Sequence, residues 1–136
     1  MGTVSRLEVQ VFQTRRSGVG DEAVDVLQVT ARNAEGRATT LGGCAVVLPL
    51  GLLVFSDPPL LEYPFRLETG AQCSDVIDCR LLAERARDSG YPGKVRVQAV
   101  FLEVGPLAPL PADPFTRAHP AEHRSDGFVF DAAGWR

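Results

Sequence analysis

The sequence predicts an all-β fold: an antiparallel β-sandwich of about seven strands with one short helix between two late strands. Three observations carry this. Short segments alternate apolar and polar side chains, which gives a strand one dry face and one wet face. Each segment is closed by glycine, proline or asparagine. One stretch has helical rather than alternating spacing, and it is short.

Leu7, Val9 and Val11 interleave with Glu8 and Gln10 and predict a first strand over about Arg6 to Gln13. A loop over Thr14 to Glu22 follows, with two glycines and two arginines. A second strand spans Ala23 to Asn33. Its pattern changes phase between Val24/Val26 and Leu27/Val29, which predicts a bulge or burial on both faces. Asn33 to Gly36 fits a type I turn. The third strand, about Ala38 to Leu48, holds the pair Gly42 and Gly43, a position for a bulge or a close backbone approach. Pro49, Leu50 and Gly51 make the next turn, and Leu52 to Phe55 returns.

Pro58, Pro59 and Pro64 confine the following stretch to an edge or a loop, since proline donates no backbone hydrogen bond. Phe65 to Leu67, a corner at Glu68 to Gly70, and Gln72 to Asp78 come next. Cys73, Ile77 and Cys79 are expected to share a face there with Asp75, a carboxylate at odds with its neighbours. Arg80 to Ser89 reads as the helix, with Asp78 as cap, Leu81, Leu82 and Ala86 as its apolar stripe and Gly90 as terminator. Lys94 to Val104 is the clearest strand, with Val95, Val97, Ala99 and Phe101 on one face, and Gly127 to Asp131 is the last. The segment Gly105 to Asp126 between them holds five of the ten prolines and is expected to be a long inserted loop.

At 136 residues, 45% hydrophobic and 23% charged, the chain has the size and composition of one globular domain, residues 1–136. The net charge of -3 gives no general reason to bind nucleic acid. Arg15 and Arg16, the only adjacent basic pair, are followed by Asp21 and Glu22. No apolar run approaches the roughly 20 residues that span a bilayer, and the start of the chain lacks a secretory signal pattern. The expectation is a cytoplasmic protein without a membrane partner.

Cys44, Cys73 and Cys79 have no framework spacing. On one extended strand Cys73 and Cys79 would stand about 20 Å apart, far beyond the roughly 5.5 Å that a disulfide spans. Buried free thiols in a reducing compartment are the preferred reading, with Cys44 as the one that could reach across the sandwich. Cys79, at the helix start, has a dipole to stabilise a thiolate, but Asp75 and Asp78 oppose it.

Gly18, Gly20 and Ala23 match the spacing of a dinucleotide-binding fingerprint, yet a strand follows them rather than a helix, so no cofactor is expected. His119 and His123, four apart with Glu122 beside the second, have the spacing of a helical metal pair. They fall in the proline-rich segment and need a third ligand, so surface histidines without metal are preferred. No serine has a histidine and an acid arranged around it. No enzyme is expected.

Asn33 and Gly36 at a turn, the corner Leu67 to Gly70, the strand end Val76 to Asp78 and the closing strand Gly127 to Asp131 together resemble an immunoglobulin-like or fibronectin-type-III-like sandwich of bacterial or bacteriophage proteins. A short helix between two late strands, as at Leu81 to Gly90, is similar to such domains. The chain lacks the paired cysteines that flank a core tryptophan in antibody-type domains. The resemblance implies a contact module, often part of a larger assembly.

The leading expectation is a non-catalytic module that works by protein-protein contact or self-association. Its expected contact residues are Trp135 beyond the last strand, Phe115, His119 and His123 in the long loop, and Tyr63 beside the proline-rich edge. The alternative is a structural subunit of a repetitive assembly, such as a virion or secretion apparatus. A metal- or cysteine-dependent enzyme ranks third.

Overall fold

A computed structural model of the chain describes residues 7–17, 23–34, 36–57, 59–104 and 122–135. The two alternating N-terminal segments form β1 (Leu7–Ser17) and β2 (Ala23–Asn33), paired antiparallel from Leu7 opposite Asn33 to Ser17 opposite Ala23. The first strand runs past its expected end because β2 offers backbone partners as far as Ala23; Arg15 reaches Asp25 across the ladder at 2.9 Å. Val26 and Leu27 are both buried while this register stays unbroken. Burial on both faces, not a bulge, explains the change of phase. β6 (Gln72–Asp78) lies on the other side of β2 and completes a three-stranded sheet in the order β1-β2-β6.

The second sheet is built on β3 (Thr39–Val47) and β7 (Lys94–Glu103), with β4 (Leu53–Phe55) and β8 (Glu122–Arg124) outside them in the order β4-β3-β7-β8. β5 (Phe65–Leu67) adds to β3, and β9 (Phe128–Asp131) adds to β7. The register between β3 and β7 shifts between Leu41 and Gly43. A Cβ on Gly42 would come within 2.5 Å of the Val104 side chain, so Gly42 at the register shift leaves the space that this valine fills.

The expected loop over Gly105 to Asp126 ends sooner than its composition suggests. Residues 122–124 pair with Val100 to Leu102, and the chain then slips by one residue before β9 pairs with Lys94 to Val97. Ser125 fills the slip: its N–H donates to the Ala99 carbonyl at 2.9 Å and its hydroxyl accepts from the Ala99 N–H at 3.0 Å. Residues 105–121 lie outside the described residues.

The helix α1 (Cys79–Asp88) joins the two sheets between β6 and β7. Asp78 caps it by accepting from the Arg80 N–H at 2.8 Å. At its end Tyr91 N–H returns to the Ala86 carbonyl and Gly90 N–H to the Arg87 carbonyl, with Gly90 at φ 94, the left-handed terminator that glycine allows. Between the sheets, Val29, Ala31 and Ile77 meet Leu41, Val46, Val97 and Phe101, and Leu82, Ala83 and Ala86 of α1 close the same core. Each large apolar side chain buried there is worth about 1.5–3 kcal/mol. The architecture is all-β and sandwich-like, two antiparallel sheets and one helix among the described residues, in which no helix is long and apolar enough to cross a membrane.

Candidate binding groove

A sandwich has two flanks where the edges of its sheets face each other, and the two flanks here are finished differently. On the first, β6 turns the carboxylate of Asp75 inward, where it is fully buried. The segment that joins β4 to β5 supplies its donors: Leu60 N–H to Oδ1 at 2.8 Å, the Tyr63 hydroxyl to Oδ2 at 2.6 Å and the Ser56 hydroxyl to Oδ2 at 3.1 Å. Val76 N–H adds a fourth at 2.8 Å. A buried carboxylate is tolerable only when its oxygens are satisfied in this way. Burial and the bond to Asp75 push the Tyr63 phenol well above its ordinary range. Tyr63 is therefore engaged in a latch, half-buried against the core, which accounts for the misplaced carboxylate in the strand pattern.

The second flank is open among the described residues. Among the described residues β1 pairs only with β2 and β9 only with β7, so each has an unpaired edge. Between them lies a groove of about 410 Å³ lined by Val11, Phe12, Gln13 and Leu27 on one side and by residues 128–131 and Trp135 on the other. Phe12 is 47% exposed and Val129 is 60% exposed. Trp135, expected outside the core, instead packs against it: its ring stacks on Phe130 at 6.3 Å between centroids and 2° between planes. A 3-10 turn at Ala132–Gly134 positions it, capped by Asp131, which accepts from the Ala133 N–H at 3.0 Å. Arg87 of α1 fixes the same turn by donating to the carbonyls of Ala132 at 2.9 Å and Trp135 at 2.6 Å.

The other expected contact residues do not join this groove. His123 is buried, not on the surface, because β8 turns it inward beside Glu103, Nε2 to Oε2 at 2.8 Å. Phe115 and His119 lie outside the described residues, and so does the geometry of the histidine pair. Among the described residues no group of three histidine, cysteine or acidic side chains is placed to hold a metal ion. All three cysteines are free and buried. Burial, then the charge of Asp75, pushes the Cys73 thiol up to about 11; burial, then Asp25 and Asp78, pushes Cys79 up to about 12; burial raises Cys44 further. At neutral pH these are protonated, poor nucleophiles.

No family model matches this chain, and no curated protein or solved structure is significantly similar to it. The groove is thus read from its own chemistry. Two unpaired strand edges offer backbone donors and acceptors, and aromatic and branched side chains stand beside them, a combination suited to an extended polypeptide. The sequence singled out Trp135 but not Phe12 or Val129, which line the same groove. The signal was present: Phe12 breaks the polar face of the first alternation, and in Phe128-Val129-Phe130 inward phenylalanines force the valine outward.

Proposed function

We propose that the chain is a non-catalytic contact module that takes an extended segment of a partner protein along the flank between β1 and β9. The observation that carries this is the combination of two strand edges unpaired among the described residues with exposed Phe12 and Val129 and the anchored ring of Trp135 in a single groove. The order β1-β2-β6 against β4-β3-β7-β8, with α1 between β6 and β7, supports placing the module among immunoglobulin-like or fibronectin-type-III-like sandwiches. Three reduced, protonated thiols suit a cytoplasmic setting.

One further observation favours the rival reading of a subunit in a repetitive assembly: both free edges belong to one molecule, so β1 of one copy and β9 of the next can pair head to tail. Peptide-display selection on the folded chain, followed by titration of its single tryptophan's emission, separates the two. The contact reading expects binders with alternating apolar residues whose affinity falls about tenfold in Phe12→Lys, the loss of one anchor contact. A solution mass that rises with concentration in the native chain and stays monomeric in Phe12→Lys would replace it with the assembly reading. A monomer that selects no peptide would remove both.

A further inference from the structure

A second site borders the flank groove without sharing its lining residues, on the outer face of the larger sheet. There β7 and β9 set Arg96 directly opposite Val129, both exposed. Beside them a cleft of about 480 Å³ opens between the Pro49–Gly51 turn and the bulge that joins β8 to β9. Val47, Leu48 and Pro49 give it apolar lining, Gln98 a polar group, and Arg96 and Arg124 two cations; among the described residues no carboxylate lines it. In a chain of net charge -3 this is a local reversal of sign.

The two arginines are in different states. Arg124 is engaged, its Nε and Nη2 donating to Glu122 at 3.0 and 2.7 Å and its Nη1 to Gln98 at 3.2 Å. Arg96 makes no hydrogen bond or ion pair among the described residues. Its guanidinium is nonetheless placed, since it lies over Gly127, where a Cβ would come within 2.8 Å of Nε and 2.9 Å of Nη2. The missing side chain of Gly127 makes the seat for that planar group. A guanidinium lying there, with none of its donors used among the described residues, offers a planar fork that matches a carboxylate.

At the lip of the cleft stands Leu50. It is 100% exposed and its backbone is at φ 67, a left-handed conformation that disfavours a leucine. An apolar side chain thrust into water on strained backbone, beside an unpaired cation, gains nothing in the isolated molecule. Both features become useful against a ligand that carries an apolar group next to an anion. We infer that this cleft docks an acidic peptide segment of a partner protein, with an aspartate or glutamate carboxylate on Arg96 and the neighbouring apolar residue on Leu50. The site is distinct from the β1–β9 groove, and the two can stand or fall separately.

The test is an NMR titration of the full chain with an acetylated, amidated peptide alternating aspartate and leucine, against a lysine-leucine twin and inorganic phosphate. The acidic peptide is expected to shift the Arg96 Nε–Hε and Gly127 amide signals saturably, and more weakly as salt is added. Arg96→Gln, on the surface and so folded, is expected to bind about tenfold more weakly, the loss of a charge-assisted pair. Leu50→Ser weakens binding too, whereas Phe12→Lys, on the other site, leaves it unchanged. The inference is overturned if Arg96→Gln binds as well as the native chain, if the lysine peptide shifts the same signals, or if phosphate saturates Arg96 at the same concentration as the peptide.

Discussion

Asp75 shows how one side chain decides what a whole flank does. Its two oxygens accept four hydrogen bonds in a site closed to water, and three of the donors come from the chain between β4 and β5. Removing one donor and removing the acceptor are therefore different experiments. Tyr63→Phe deletes a single bond and is expected to cost about 1 kcal/mol, whereas Asp75→Ala leaves four donors unmet and is expected to cost about 3 kcal/mol or more. Urea unfolding of the two variants checks the order, and equal losses would contradict a shared latch. The sequence marked Asp75 as out of place on its strand, and that was as far as local reading could reach. Its partners Ser56, Leu60 and Tyr63 lie 12 to 19 residues away, with no repeating pattern to connect them.

Among the elements, those legible in advance were the ones whose own side chains specify them. β2, β7 and α1 carry their periodicity and their stop signals within themselves, and α1 begins and ends within a residue of its predicted limits. β8 was invisible because Glu122, His123 and Arg124 hold no alternation; β7 dictates that strand by offering an edge. The Pro49–Gly51 turn shows a related effect. Proline and glycine announced the turn, but the left-handed residue proved to be Leu50 as well as Gly51. Leu50→Gly is expected to raise stability by about 0.5–1 kcal/mol by relieving that strain, while weakening the acidic-peptide titration. A loss of stability, measured by thermal unfolding, would show that the exposed leucine contributes to the native fold after all.

For the molecule as a whole, the sandwich class was written in alternation and turn chemistry, but which flank is sealed and which is left open was not. That depends on pairs of strands far apart in the chain. A global consequence follows from the thiols, since Cys44 belongs to one sheet, Cys73 to the other and Cys79 to the helix. Their folded values lie above the usual 9.0, up to about 11 for Cys73 and about 12 for Cys79. The unfolded chain therefore sheds these protons first. Stability is fully present below pH 9.0 and falls as pH climbs from there through 11 to 12. Urea midpoints should match at pH 7 and 8 and drop at pH 10.5, and Cys79→Ala should flatten that drop; an unchanged midpoint at high pH would refute the linkage.

Arg87 gives the open flank a reach beyond its own walls. A single guanidinium on the helix holds the carbonyls on either side of the turn that carries the tryptophan. Whatever displaces that ring must pull on the helix, and a spectroscopic label on the solvent side of α1, clear of the ligand, becomes a remote gauge of occupancy.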